Sequence, residues 1–425
     1  MAPILSGLLG LAALMGIAWL SSDHRRAIDW RLVGTGLGLQ ILFASFVLLT
    51  PWGAWIFGAI SDGFIQLLGF TRQGSRFVLG DLVDLNKFGF VFAFQALPII
   101  IFFAALMSVL YHFGVMQVMV SGMAWAITRV MRVSGAETLS VCADAFVGLA
   151  EAPLVVKPYV ATMTQSELLT LMVGGMATVA GSVMGAYVAM LGGDDPQAQA
   201  YFARHLITAS IMAVPATLVI GKMLCPETGE PLTRGQVRIA IEKTTTNAID
   251  AAALGAAEGL KLAANVGAML LAFIALIALI DAPLAWLGEI TGLNAALGRE
   301  LSLATLLGYL MAPVAWLIGV PWAEAMSVGS LLGVKVVLNE FVAYSQLATI
   351  QANLSPLSTL ITAYALCGFA NFGSMAIQLA SLGGIAPERR ADVARLGLKA
   401  VLGGSLATLM TATIAGVLIS LGAGG

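Results

Sequence analysis

The sequence predicts an all-α polytopic membrane protein with about eight transmembrane helices, two re-entrant hairpins and helices at the membrane surface. Of the 425 residues, 59% are hydrophobic and only 10% are charged. A soluble domain needs more polar surface than this. Apolar segments of about 20 residues, the length that crosses a bilayer as a helix, recur along the chain. Two further apolar regions carry acids near their middle, which predicts helices broken inside the membrane.

Uninterrupted apolar segments supply the predicted spans. These are Pro3–Leu20, Leu32–Thr50, Phe88–Tyr111, Leu168–Leu191, Leu206–Leu224, Ala251–Ile280, Leu357–Leu379 and Leu398–Leu421. Two shorter segments, Trp55–Leu68 and Val115–Met131, mix Trp with polar residues. This composition is typical of helices that lie at the membrane surface.

Basic residues predict the orientation, because cytoplasmic loops are enriched in Lys and Arg. They collect in three loops, at Arg25–Arg31, at Arg234, Arg238 and Lys243, and at Arg389, Arg390, Arg395 and Lys399. If all three loops are cytoplasmic, eight spans place both termini outside. No basic residue precedes the first apolar segment, which we therefore interpret as a retained helix and not a signal peptide.

The two interrupted regions, Ala136–Thr164 and Pro321–Ile350, are each long enough for two half-length helices joined at a tip. Glu151 lies at the first break and Glu340 at the second. Each acid is followed by a Gly/Ala-rich interruption within a later helix, at residues 177–182 and 367–374. Matching interruptions in two halves indicate a transporter's binding site at the membrane midplane.

This layout predicts an inverted repeat and a division of the chain into four parts. Residues 1–87 form N-terminal scaffold helices, 88–225 the first repeat, 226–250 a cytoplasmic loop, and 251–425 the second repeat with a C-terminal helix.

An ionised carboxylate in an apolar segment is costly unless it is paired or hydrated. We expect Glu151 and Glu340 to line a water-filled cavity and bind a ligand rich in hydroxyl or amide groups. The alternative is an internal ion pair with Lys157 or Lys335. Asn371 and Ser374, three residues apart, can reach a common ligand from one side of a helix.

Asp144 is a third acid, seven residues before Glu151 and expected near the same helical face. It can coordinate a small cation together with backbone carbonyls exposed by the break. It can instead carry a proton, because burial disfavours the charged form of a carboxyl group. The remaining alternative is a capped polar residue that faces solvent.

Other functional classes find little support. The net charge of −2 and thinly scattered basic residues do not indicate nucleic-acid binding, and three separated cysteines do not indicate a disulfide framework or zinc site. An intramembrane enzyme using Glu151 and Glu340 as an acid/base pair stays open, although no nucleophile motif accompanies it. Nothing resembles the filter loop of a channel.

Several motifs resemble the concentrative nucleoside transporters, and the similarity covers nearly the whole chain. Residues 146–158 and 163–168 resemble the family's first hairpin and the residues after it. Residues 339–346 resemble its second hairpin, and residues 365–371 its seventh membrane helix. Shorter similar stretches lie at 97–98, 114–117, 265–269 and 393–399.

The resemblance implies a homotrimer of eight-helix protomers in a bacterial inner membrane. Each protomer would import a nucleoside with Na⁺ or H⁺ by an elevator-like motion, with no other cofactor. Glu340, Asn371 and Ser374 match the family's ribose-binding residues, with Phe369 beside them. Val183 and Glu151 fall at further substrate positions.

The resemblance also exposes two departures. Where the family's first hairpin has Gln and Thr or Ser for the nucleobase, this chain has Leu149 and Ala150, which predicts altered base selectivity or a modified nucleoside or other ribose-like solute. The family's cation site uses an Asn, a Ser and two carbonyls. The matching residues here are Asp144, Thr178, Val147 and Val179, which leaves Na⁺ and H⁺ both open.

Overall fold

The computed structural model describes residues 2–235 and 245–422, and within these ranges the chain forms helices and no β-strand. Arg238 and Lys243, two of the predicted cytoplasmic basic residues, lie outside the described part. The first five helices are α1 Ala2–Leu20, α2 Trp30–Leu49, α3 Pro51–Leu79, α4 Leu85–Phe88 and α5 Phe92–Gln95.

Seven helices follow up to the connecting loop. Two continuous helices come first, then a hairpin, a broken helix and a final continuous helix. They are α6 Leu97–His112, α7 Val115–Met131, α8 Gly135–Asp144, α9 Lys157–Val160, α10 Gln165–Ala177, α11 Gly181–Gly192 and α12 Pro196–Leu224. Helices α8 and α9, with a 3₁₀ turn at Ala152–Val156 between them, form the first hairpin.

The second half repeats this order after the loop. Its helices are α13 Ala248–Ile290, α14 Leu293–Leu297, α15 Leu303–Leu317, α16 Trp322–Val337, α17 Glu340–Ile350, α18 Pro356–Leu366, α19 Phe372–Ile385 and α20 Arg390–Gly422. Each half thus contains two helices before a hairpin, then a broken helix and a long closing helix, and the second half adds the short α14. The predicted breaks in both hairpins and in both later helices are confirmed.

Some predicted boundaries differ from the observed helices, and one helix was not predicted. The surface segment Trp55–Leu68 is only part of the continuous 29-residue helix α3. Helix α15 was not predicted; it meets α16 at a bend of 117° just before the second hairpin, as α7 comes just before the first. Helix α13 extends over 43 residues, well beyond the predicted Ala251–Ile280.

Small residues let neighbouring helices approach backbone to backbone, both between the halves and within one half. A Cβ atom added at Gly259 of α13 would lie 2.8 Å from the Cα of Ile101 in α6. A Cβ at Gly329 of α16 would lie 2.7 Å from the backbone N of Ala312 in α15. Such contacts replace the hydrophobic driving force that is missing between helices in lipid.

The described basic loops lie at one end of the molecule, as the orientation argument requires. The backbone N–H of Asp23 donates to the carbonyl of Leu224 (3.1 Å), and the Asp23 carboxylate pairs with Lys399. The Arg389 guanidinium donates to the carbonyl of Met163 (2.7 Å). The loop after α1, the end of α12 and the start of α20 therefore share one side of the membrane.

Candidate functional site

The breaks in the two discontinuous helices lie against each other. Gly368 belongs to the break between α18 and α19, and a Cβ atom there would lie 2.8 Å from the carbonyl O of Met176. The same atom would lie 3.0 Å from the carbonyl C of Ala177, the last residue of α10. Only a residue without a side chain permits this approach. Two sets of freed backbone groups are thereby brought to one place.

The second hairpin delivers a buried acid to this place. Helix α17 begins at Glu340, and Asn339 caps it by accepting the N–H of Val342 (2.9 Å). Glu340 is only 2% exposed, and its carboxylate accepts the hydroxyl of Tyr187 (3.0 Å) and the side-chain amide of Asn371 (2.9 Å). Neutral donors thus surround the charge, as burial requires.

Asn371 joins this acid to the start of α19. Its side-chain oxygen accepts the N–H of Ser374 (2.8 Å) and caps the helix, while its amide donates to Glu340. Ser374 and Phe369 are both buried beside it. Helix α17 begins at Glu340, and α19 begins next to the Glu340 side chain because its N-cap, Asn371, contacts that side chain. The unpaired N–H groups at both helix starts favour a negative or electron-rich partner.

Tyr187 is a site residue that sequence reasoning missed. Its ring stacks on Tyr344 with centroids 4.2 Å apart and planes 21° apart, which fixes its hydroxyl on Glu340. Tyr187 and Glu340 are 153 residues apart in sequence, so no local pattern indicates the pair. Val183, a predicted substrate residue, lies buried one turn earlier on α11.

The first hairpin seats its tip on the other break. At the tip, Gly148 has φ +122, which side-chain-bearing residues rarely adopt. A Cβ there would lie 3.0 Å from the Cβ of Ala180 between α10 and α11. The carbonyl of Phe146 also accepts the N–H of Gly181 (2.9 Å), the first residue of α11.

The tip's three predicted substrate residues differ in their environment. Leu149 is buried, Ala150 is half-buried and Glu151 is exposed. The hydroxyl of Ser381 in α19 donates to the carbonyl of Ala150 (3.0 Å) and ties the tip to the second half. The three tip residues therefore present one carboxylate and two apolar side chains.

The internal ion pairs considered from the sequence are not formed. Neither Lys157 nor Lys335 makes a salt bridge to Glu151 or Glu340 among the described residues. Lys335 is buried and donates instead to the carbonyl of Ala365 (2.8 Å) and the hydroxyl of Thr408 (3.0 Å). It thus satisfies a carbonyl near the end of α18, where the helix breaks.

Asp144 is the last residue of α8, and the chain between it and Glu151 is a turn, so the prediction that both share a helical face is wrong. Its side chain is 1% exposed, and within the described part of the chain neither carboxylate oxygen has a hydrogen-bond partner. One oxygen lies 2.8 Å from the Cβ position that Gly174 leaves empty. This burial excludes the solvent-facing alternative.

The other predicted cation ligands lie in two places: Val147 is in the tip of the first hairpin, which follows Asp144, and Thr178 and Val179 are in the break between α10 and α11. Thr178 is buried and its hydroxyl donates to the carbonyl of Gly174 (2.9 Å); Val179 is buried in the same break and Val147 half-buried in the tip. The described residues contain no group of three or more His, Cys, Asp or Glu side chains arranged for a metal. A cation held here would depend on one carboxylate, hydroxyl and carbonyl oxygens.

The contacts described above form a closed ring. The first hairpin binds the start of α11, Tyr187 of α11 binds Glu340, Asn371 joins Glu340 to α19, and α19 returns to Ala150 of the first hairpin. Both hairpins therefore border one region, bounded by two helix breaks. Re-entrant hairpins and broken helices arranged in this way define a secondary transporter.

Comparison with known proteins identifies the kind of transporter. Residues 205–416 match a model of the Na⁺-dependent nucleoside transporter C-terminus, and residues 9–82 match its N-terminus. Residues 93–194 match a gate model described as nucleoside recognition.

Full-length relatives agree. A Haemophilus influenzae protein named an uncharacterized transporter is 44% identical over 99% of both chains. Mouse sodium/nucleoside cotransporter 1 is 39% identical over 96% of this chain, which spans 63% of the mouse protein. A structure of CNTnw in an inward-facing substrate-bound state is 44% identical, with a TM-score of 0.88 over 99% of this chain and 98% of CNTnw.

The chain therefore belongs to the concentrative nucleoside transporter family and has its elevator-type fold. This family consists of cation-coupled membrane transporters and not of enzymes, so the intramembrane-enzyme alternative is excluded.

Proposed function

We propose that this protein imports nucleosides across a bacterial inner membrane by symport with a cation. The observation that carries this function is the buried Glu340–Asn371 pair, held where two helix breaks meet. A carboxylate, an amide and the nearby Ser374 hydroxyl suit the adjacent hydroxyls of a ribose. Phe369 and Val183 supply apolar walls.

In this proposal residues 1–87 form a scaffold, and the two repeats, 88–225 and 251–425, carry the substrate site between them on either side of the loop 226–250. Three protomers form the working unit. The ring of contacts through both hairpins supports movement of the site as one body, because shared hydrogen bonds hold its parts together.

The nucleobase end of the site differs from the ribose end. Leu149 and Ala150 offer no side-chain donor or acceptor, and Glu151 is the only polar side chain of the three. Sites lose discrimination when their hydrogen-bonding groups are replaced by apolar ones. The protein therefore has a base preference unlike the usual family pattern, or takes a modified nucleoside or another ribose-like solute.

Competition among nucleosides tests this selectivity. Uptake of radiolabelled uridine is measured in proteoliposomes that contain the purified protein, in the presence of each of a panel of unlabelled nucleosides. We expect purine and modified nucleosides to compete within about tenfold of pyrimidines, and Leu149→Gln with Ala150→Thr to sharpen the preference. Ordinary pyrimidine selectivity in the unmodified protein contradicts altered selectivity but leaves nucleoside transport intact.

Asp144 is the centre of the proposed cation site, because a buried carboxylate without a hydrogen-bond partner needs a positive ion or a proton. We favour Na⁺, which oxygen ligands from Thr178, Val147 and Val179 can share. A proton is the alternative.

Uptake in sodium-free buffer across a pH series separates the two ions. Sodium coupling predicts loss of concentrative uptake without Na⁺ at every pH, and Asp144→Asn predicts an apparent Na⁺ affinity weaker by about tenfold, since one charge–charge contact is lost. Full activity without Na⁺, rising as the external pH falls, identifies the proton instead.

A further inference from the structure

The substrate-facing side of α19 continues beyond the proposed ribose residues. Asn371, Ser374, Gln378 and Ser381 follow one another at intervals of three, four and three residues, which places them on one helical face. The first of them contacts Glu340 and the last contacts the first hairpin at Ala150. Gln378 therefore lies between the ribose residues and the hairpin tip.

Gln378 is a buried amide with unused hydrogen-bonding capacity. Its side chain is 1% exposed, and its amide nitrogen donates to the carbonyl of Met172 in α10 (2.8 Å). Its side-chain oxygen has no hydrogen-bond partner among the described residues. A buried acceptor that lacks a partner is unfavourable, and a bound ligand that supplies a donor removes this cost.

This amide lies against the apolar part of the first hairpin. A Cβ atom at Gly175 would meet both the Gln378 amide nitrogen (2.7 Å) and the Leu149 Cβ (2.9 Å). Gln378 and Leu149 therefore flank one point, which a glycine keeps open. The Gln378 amide thus lies next to Leu149, the apolar residue at a position where the family's first hairpin has a polar side chain.

We propose that Gln378 is a specificity-determining residue whose side-chain oxygen accepts a hydrogen bond from an N–H group of the nucleobase. This proposal rests on the proposed nucleoside transport. It assigns to Gln378 the hydrogen bond to the nucleobase that the side chains of Leu149 and Ala150 cannot make. The amide nitrogen stays on Met172, which fixes the oxygen as an acceptor. The favoured ligands are nucleosides whose base carries an N–H donor.

A second buried glutamine provides a matched control. Gln40 of α2 is fully buried, and its amide nitrogen donates to the carbonyl of Met212 (3.2 Å) and the hydroxyl of Thr411 (2.9 Å). Its side-chain oxygen also lacks a partner. Gln40 has the same chemistry as Gln378, but it packs among α2, α12 and α20, outside the ring of contacts around the site.

The test compares base donors directly. Uridine is paired with 3-methyluridine and adenosine with N6,N6-dimethyladenosine, and each is measured by competition in proteoliposomes of wild-type, Gln378→Met and Gln40→Met protein. We expect wild type and Gln40→Met to prefer the N–H-bearing base by about tenfold. The Gln378→Met protein should bind both members of each pair equally. Gln378→Glu, which keeps an acceptor oxygen, should retain the preference.

Two outcomes overturn the proposal. One is an unchanged preference in Gln378→Met, which assigns Gln378 to packing alone. The other is a Gln378→Met protein that melts like wild type but binds neither analogue, since loss of a base contact should leave ribose binding in place. Failure of nucleoside transport itself looks different, because wild type would then take up no member of either pair.

Discussion

The two hairpins differ in how they satisfy their acids. The second hairpin holds Glu340 buried, with both carboxylate oxygens accepting hydrogen bonds from other elements. The first hairpin leaves Glu151 exposed, and the carboxylate of Asp144 is buried without a hydrogen-bond partner. One half of the proposed site is therefore fixed by hydrogen bonds between elements, and the proposed nucleobase and cation contacts belong to the other half.

This difference suggests a division of labour between the repeats. In the proposed function, the preformed site around Glu340 contributes affinity common to all nucleosides, because its groups are already positioned and little ordering is required on binding. The first half can then vary its base contacts and its cation without disturbing the second. The following substitutions test that division in order of decreasing effect.

Glu340→Gln should have the largest effect. The substitution removes the charge that two donors surround, and hydrogen bonds to charged groups contribute about 1.5–3 kcal/mol each. We expect nucleoside uptake to fall by about 100-fold or more in initial-rate measurements. Glu324→Gln is the control in the same hairpin: Glu324 accepts the hydroxyl and N–H of Ser355 away from the site. If uptake by Glu340→Gln stays within a few-fold of this control, the proposal that Glu340 forms a preformed ribose site is contradicted.

Tyr187→Phe should have an intermediate effect. It deletes one donor to Glu340 and keeps the ring that stacks on Tyr344. We expect the KM for nucleoside to rise by about tenfold with a nearly unchanged melting temperature. Tyr344→Phe loses a bond to the carbonyl of Ala363 (2.7 Å) instead. It should lower thermal stability and leave KM near wild type; the reverse pattern in the two variants would refute the assignment.

Ser381→Ala should have the smallest effect, because a single neutral hydrogen bond contributes about 0.5–1.5 kcal/mol. It releases the Ala150 carbonyl, which ties the first hairpin to α19. We expect nucleoside affinity, measured by competition, to fall about threefold, and Ser381→Thr to restore it. Equal loss in both variants would show that the space occupied, and not the hydroxyl, matters here.

The sequence was sufficient to predict the breaks but not what they contact. Carboxylates such as Glu151 and Glu340 are rare in lipid-embedded helices, so their presence in apolar runs signals a break. Nothing comparable marks Tyr187 or Gln378, whose partners are 153 and 206 residues away. Those contacts arise from packing between the halves, which local periodicity does not describe.

Helix lengths were missed for a related reason. The predicted segment Trp55–Leu68 stops short because the polar residues after it, Arg72 and Gln73 among them, are themselves good helix formers; α3 continues to Leu79, where Gly80 with φ +61 terminates it. Helix α15 has only 15 residues and contains Pro313. This length is shorter than a membrane span, and a proline usually interrupts a helix, so the segment was not predicted as a separate helix.

The side chain of Asn371 combines two roles that few other residues can fill together. One end of this side chain must accept from a helix N–H and the other must donate to a carboxylate. Aspartate would cap α19 equally well but would set two negative charges 2.9 Å apart. Serine would cap without reaching the acid, and alanine would do neither. One side chain thus both caps α19 and holds Glu340, so we expect a substitution there to disturb the local fold and the proposed ribose site together.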